Sequence, residues 1–269
     1  NSGESYLVAI KPGDNINNSD GLIGVLVESD KPIAVNSGSI TGSNANTTTD
    51  SNGQDAGVDQ IVPIERIGTE YIFVRGIGPD QIERPLIVAH EPDTEVYVNG
   101  TLEYTIAQAG EHYSVPSSFY GVSYDQYGQG PEIGVSSNMY IETSKPVFAY
   151  QVIGGIRPGT EGPFGAGTGI PNQGLFFVPP LKCSSVGDVD NIPEINNIGE
   201  TNYTGNLNII SKVGAVITIS DDNNANQSIS ALNIANTLGP FNVTGNANYV
   251  SYTISNLSGN VSIISNNEL

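Results

Sequence analysis

The chain of 269 residues has no tryptophan, one methionine and one cysteine, Cys183; its only imidazoles are His90 and His112. A lone thiol excludes an internal disulfide, whereas a secreted eukaryotic domain of this size ordinarily carries several, so a bacterial extracellular origin is expected. Basic residues are scarce as well, with 9 Lys and Arg against 28 Asp and Glu, for a net charge of −19. That balance repels phosphate backbones and anionic lipid, which argues against nucleic-acid partners and membrane-surface binding. It suits solubility outside a cell, and divalent cations would offset part of it. No apolar run approaches the ~18 residues of a membrane-spanning helix, so no membrane insertion is expected. Neither Asn1-Ser2-Gly3 nor Glu268-Leu269 has the character of a natural terminus, and the chain is expected to be covalently part of a larger protein.

What the chain does contain is repetition. Val25-Leu26-Val27-Glu28-Ser29-Asp30-Lys31-Pro32 returns as Met139-Tyr140-Ile141-Glu142-Thr143-Ser144-Lys145-Pro146, a step of 114 positions from Lys31 to Lys145. A weaker copy, Asn260-Val261-Ser262-Ile263-Ile264-Ser265-Asn266-Asn267, lacks the Lys-Pro pair. A Gly-to-Tyr opening recurs at Gly3–Tyr6, Gly68–Tyr71 and Gly199–Tyr203. Solenoid repeats run roughly 20–50 residues, so a period near a hundred points to tandem β modules. The division expected is an opening unit over 1–67, incomplete as it stands, a central module over 68–182 and a closing module over 183–269.

Apolar residues alternate with period two, the mark of strands with one buried face. In Thr94 to Ile106, Val96 and Val98 share a face before Asn99-Gly100, and Leu102, Tyr104 and Ile106 share one after it. Asn-Gly is the favoured type I′ pair because both central positions need φ > 0, so a two-residue hairpin is predicted there. Tyr71-Ile72-Phe73-Val74 and Leu86-Ile87-Val88-Ala89 are apolar throughout and read as strands buried on both faces. Strands are predicted near 5–11, 22–28, 32–36, 70–75, 86–90, 95–106, 139–150, 207–211, 215–220, 249–254 and 260–265. Residues 36–58 and 154–171 read as long surface loops following equivalent strands, and 230–237 as a helical turn or two. The fold class is therefore all-β, with tandem antiparallel β-sandwich-like modules packed together, since no Pro/Ser-rich tether separates them.

Five stretches carry a resemblance to a known family. Glu28 to Val35, Ile87 to Gly100 and Thr143 to Val147 resemble the bacterial form of the IgGFc-binding protein N-terminal domain; Asn172 to Leu181 and Asp190 to Pro193 are similar to its Bacteroidota members. The likeness spans nearly the whole chain and is strongest over 59–220. It implies an adhesion or recognition domain on a bacterial surface, set in a large modular secreted protein with a gliding-associated or type IX sorting region. The animal proteins surround the domain with cysteine-rich modules. Cys183 alone shows nothing of these, so immunoglobulin binding is not carried over.

No catalytic set accompanies this. A nucleophilic enzyme needs a base beside its nucleophile, yet His90-Glu91-Pro92-Asp93 lacks the second His of a zinc-protease helix and contains the helix breaker Pro92. Cys183 reads as a small hydrophobe. Gly165-Ala166-Gly167-Thr168-Gly169 has no strand-to-helix setting for a dinucleotide, and nothing among the carboxylates selects a glycosidase pair. Asp50, Asn52 and Asp55, around Gly53, place oxygen ligands at spacings that partly resemble a calcium loop, without the downstream Glu of an EF-hand; the alternative is an acidic loop that binds nothing. Asp188, Asp190 and Asp221-Asp222 read as solvated turns. Phe119, Tyr120, Tyr124 and Tyr127 sit among Gly, Gln and Asp, and such tyrosines make adaptable binding surfaces. Tyr120, Tyr124 and Tyr127 are the ligand-binding residues expected, the alternative being that Tyr120 and Tyr124 fold back onto the sheet. The function expected is non-catalytic adhesion to a glycan or protein on another surface. A structural spacer in an adhesin stalk, or a hydrolase acting on surface polysaccharide, are the alternatives.

Overall fold

Residues 5–9, 22–42, 55–76, 78–123, 137–154, 173–181, 188–202, 204–223, 227–229 and 237–267 are described by the computed structural model. The expectation of an all-β chain holds: helix among the described residues amounts to the 3-10 turns Ile64–Arg66 and Ser117–Tyr120. An opening hairpin joins β1 (Asn36–Gly42) to β2 (Asp55–Gln60). The central sheet has seven strands: β3 (Gly68–Val74), β4 (Leu86–Ala89), β5 (Thr94–Val98), β6 (Thr101–Ile106), β7 (His112–Ser114), β8 (Asn138–Gly154) and β9 (Gln173–Phe177). The C-terminal strands are β10 (Asp188–Ile192), β11 (Asn197–Ile198), β12 (Thr201–Asn202), β13 (Gly205–Lys212), β14 (Ile217–Ser220), β15 (Gln227–Ser228), β16 (Thr237–Asn242), β17 (Tyr249–Leu257) and β18 (Val261–Ser265).

Strand β8, 17 residues long, is the spine of the central sheet. On one side it pairs antiparallel with β5 and then β4, on the other with β3 and then β9. Between the two halves it bends. Gly68 faces Val147 while Glu70 faces Glu142, so residues 143–146 bulge out of the ladder at Lys145-Pro146, where proline could not donate to a neighbour in any case. Buried Tyr71 repairs the gap: its hydroxyl donates to the Val147 carbonyl at 2.6 Å and accepts from the Gly68 N–H at 2.9 Å. Thr143 Oγ1 donates to the Lys145 carbonyl within the same bend. A strand that turns this corner lets both halves of the sheet close over one core. That core gathers Tyr71, Phe73, Ile87, Val96, Val98, Ile106, Met139 and Ile141, all buried.

The C-terminal strands make a sandwich. One sheet has the order β10-β18-β14-β15 and the other β13-β17-β16. Ile217, Ile219, Val261 and Ile263 from the first meet Ile209, Tyr252 and Ile254 from the second. This sandwich covers the outer face of the central sheet, where Ile72 and Tyr140 pack against Val243, with Ile210 and Tyr249 at the margin. Asn138 Nδ2 crosses the junction, donating to Ser251 Oγ at 3.0 Å and to the Asn242 carbonyl at 3.2 Å. Packing of successive β units on each other is thus present.

The Asn99-Gly100 hairpin forms as predicted, with φ of 51° and 85° at the two positions. Its far strand differs. A register shift sets Val96 opposite Tyr104 but Tyr97 opposite Leu102, so an extra residue at Glu103 turns Leu102 to the other face. A larger correction concerns the opening unit. Of the strands predicted near 5–11, 22–28 and 32–36, residues 5–9, 22–28 and 32–35 join no ladder, and Val25, Leu26, Val27 and Ile33 are exposed. The described strands begin only at Asn36, inside the stretch read as a loop. Period-two patterning marks a chain fit for a sheet, but ladder hydrogen bonds need a neighbour. Of the second expected loop, 154–171, Gly154 ends β8 and the rest lies outside the described residues.

Candidate functional site

Where β3 runs out, the chain reads Arg75-Gly76, then Gly78-Pro79-Asp80-Gln81-Ile82-Glu83 before re-entering the sheet as β4. Pro79 sets a turn, its carbonyl accepting from the Ile82 and Glu83 N–H groups at 3.0 and 3.1 Å. The turn carries charge inward. Glu83 is wholly buried and Arg75 nearly so. Burying either charge is costly unless it is paired and hydrogen-bonded. Arg75 Nη2 donates to Asp80 Oδ1 at 2.7 Å and to the Gly78 carbonyl at 2.8 Å; Glu83 Oε1 accepts from the Gly78 N–H at 2.7 Å. Gly76 leaves room beside them: a Cβ there would stand 2.6 Å from Glu83 Oε1 and displace the carboxylate.

This cluster holds the start of the tyrosine-rich segment. The Arg75 guanidinium lies 5.9 Å from the centroid of the Tyr120 ring, within cation–π range. Gln151 Nε2, from β8, donates to the Tyr120 hydroxyl at 3.4 Å. Asp80 Oδ2 accepts from Ser123 Oγ, and Asn99 Nδ2 donates to the Phe119 carbonyl at 2.8 Å. Gly121, at φ 73°, ends the 3-10 turn in the left-handed region that glycine tolerates. Desolvation pushes the Tyr120 phenol well above its usual range; Glu83 adds to the shift while Gln151 and Arg75 oppose it.

Tyr120 therefore corrects the expectation that it lines a recognition surface. Its side chain is 3% exposed and belongs to the central core. A 3-10 turn closed by Gly121 points the ring inward, over Arg75. Tyr124 and Tyr127 lie outside the described residues, as do Asp50, Asn52 and Cys183. Asp55 opens β2, but its side chain is not among those described. Arg75, Asp80, Glu83 and Gln151 escaped the sequence reading. The available signal was charge set between Gly and Pro immediately after a strand buried on both faces, in a chain only 14% charged.

His90 follows β4 and His112 opens β7, each half-buried. Asp221 and Asp222 hold a turn: their carboxylates accept from the N–H groups of Ser258 and Asn260 at 3.0 and 3.2 Å. Among the described residues, no group of three or more His, Cys, Asp or Glu could hold a metal ion. Nor is any described helix long and apolar enough to cross a membrane, which says nothing of strands. A second aromatic feature pairs exposed Tyr104 with half-buried Tyr113. Tyr104 of β6 stacks on Tyr113 of β7 with centroids 4.4 Å apart and planes 7° from parallel.

In this all-β chain the charged cluster braces the loop that follows β7. The chain belongs to the IgGFc binding protein family, whose sequence pattern matches residues 1–268. No curated protein and no solved structure matches it.

Proposed function

We propose that this chain is a non-catalytic recognition module of a large bacterial surface protein, exposed outside the cell, that binds a glycan or protein on another surface. Membership of a family of binding proteins supports binding. The observation that carries the location is the bracing of residues 117–123: Tyr120 sunk in the core, Phe119 and Ser123 tied to Asn99 and Asp80. A rigid base of this kind lowers the entropy cost of presenting whatever follows it. Tyr124 and Tyr127 follow directly, and we assign them the ligand contacts, with Tyr120 as their anchor. The division into units over 1–67, 68–182 and 183–269 is part of the same reading.

An array of glycans and surface proteins, immunoglobulin Fc included because of the family's name, tests it. Once a ligand is found, Tyr124→Ala is expected to weaken binding by about 2 kcal/mol, the scale of an aromatic hot spot, with the melting temperature unchanged. Tyr120→Ala is expected to lower the melting temperature. Unaltered affinity in Tyr124→Ala and Tyr127→Ala would remove the site from this segment, and an array without reproducible binding would favour a stalk spacer.

We also assign Asp50, Asn52 and Asp55 to a calcium loop. Stability should then rise by about 2.7 kcal/mol at a hundredfold excess of free ion over Kd. Thermal melts with calcium and with chelator, superimposable if no ion binds, decide the matter.

A further inference from the structure

The internal repeat is a repeat of structure, and it shows what residues 24–35 lack. With the 114-position step, Val35 corresponds to Ala149 and Asn36 to Tyr150. The Ile61 N–H donates to the Val35 carbonyl at 2.9 Å, and the Val178 N–H donates to the Ala149 carbonyl at 2.8 Å. Asn36 faces Gln60 across the opening hairpin just as Tyr150 faces Phe177 across β8 and β9. The β1–β2 hairpin is therefore the counterpart of the second half of β8 with β9. By the same step residues 24–35 are the counterpart of 138–149, the first part of the spine.

There the two copies part. Met139, Tyr140, Ile141 and Val147 are 0, 4, 0 and 0% exposed, held between β3 on one side and β5 and β4 on the other. Val25, Leu26, Val27 and Ile33, at the equivalent positions, are 57, 62, 54 and 56% exposed, and no described strand pairs with this stretch. Gly24 itself turns at φ 78° against the Gly110 backbone, and the Val25 N–H donates to the Leu22 carbonyl at 3.2 Å; beyond them, four large apolar side chains and a line of backbone donors and acceptors make a strand edge open to augmentation. The edge carries the pattern of a strand that, in its copy, takes antiparallel partners on both sides.

We propose that residues 24–35 are the spine of a second sheet, completed by a polypeptide segment equivalent to residues 68–137 of this chain, which supplies strands of the β3, β4 and β5 kind. The β3-like strand runs antiparallel along Val25–Glu28, as Glu70–Phe73 runs along Met139–Glu142. A second copy of this chain does not meet the need, because its β3, β4 and β5 are already taken by its own β8.

Amide hydrogen exchange read by mass spectrometry tests this in the full chain, in a chain carrying a duplicate of residues 68–137 joined ahead of Gly24, and in the full chain with a synthetic peptide of residues 67–76. Amides of residues 25–34 are expected to exchange almost freely in the full chain at micromolar concentration. In the extended chain they should slow by a thousandfold or more, on the order of protection found inside stable sheets. Val27→Lys, which places a charge where Ile141 is buried in the copy, should abolish the slowing. Free exchange at 25–34 with β8 still protected in the extended chain overturns the proposal. Should the extension fail to fold, the peptide decides: slowing confined to residues 24–29 supports the pairing, and none at millimolar peptide rejects it. Protection already present in the full chain, or protection that grows with its concentration, also rejects it, the latter in favour of self-association.

Discussion

Tyrosine does three different jobs in this chain, and burial separates them. Tyr71 is structural: its hydroxyl completes the backbone hydrogen bonding that the β8 bulge disrupts. Tyr71→Phe keeps the ring yet orphans a buried N–H and a buried carbonyl, so it should cost about 2 kcal/mol. A lower denaturant midpoint at unchanged slope would show it, and an unchanged midpoint would mean water replaces the phenol. Tyr120 braces a loop, while Tyr104 and Tyr113 stack at the surface. Burial raises the Tyr71 phenol to about 12 from its ordinary value of 10.0, and desolvation raises Tyr120 as well. A raised folded-state pKa means that the folded form holds the proton more tightly. Its contribution to stability is present below pH 10.0 and is lost as the pH climbs toward 12. Unfolding midpoints should therefore fall over that window, with part of the phenolate absorbance appearing only on unfolding. Phenols that all titrate near their free value in the folded protein would contradict the burial described.

At the scale of elements, the hairpin over Thr94–Ile106 shows what a sequence discloses. Asn99 and Gly100 dictate their turn locally, because few other pairs accept φ > 0 twice in succession. The bulge at Glu103 is invisible in the same stretch, since it depends on register against Val96 and Tyr97. β9, β10 and β16 were missed for a related reason: their residues alternate poorly, and long-range partners on β8, β18 and β17 make them strands. Residues 22–28 and 32–35 fail in the opposite sense, predicted as strands yet joining no ladder. Tyr120 looked like a surface residue among Gly and Gln; only Arg75 and Gln151, distant in sequence, reveal where its ring goes. The hairpin tip also touches the closing sandwich. A Cβ on Gly245, whose φ is +88°, would come within 2.7 Å of the Asn99 carbonyl carbon. Gly245→Ala combines left-handed strain with a backbone collision, and a loss of about 1–3 kcal/mol is expected. Differential scanning calorimetry would register it, and an unaltered melt would place the two turns apart in solution.

Across the whole molecule, the junction of central sheet and closing sandwich sets how the chain unfolds. Ile72, Tyr140 and Val243 supply its apolar contact and Asn138 its polar bridge. Tyr140→Ala with Asn138→Ala should split one cooperative transition into two by weakening the coupling between two cores that remain intact. A single transition at every denaturant concentration would show that the units are coupled elsewhere. The position of β8 has a further consequence, for the order in which the chain is made. Asn138 follows Val74 by 64 positions (138 minus 74), a delay of roughly 3–13 s at the usual rates of synthesis, about 5–20 residues/s. Within that interval β5–β6 and then β4–β7 are completed, but only as two-stranded ribbons, each marginal alone in water, and β3 has no mate. Nascent chains at this stage have unfinished edges that could join those of a neighbour. Glu83, Glu91, Asp93, Glu95, Glu103 and Glu111 have all emerged by then, and their mutual repulsion keeps adjacent chains apart until the spine arrives.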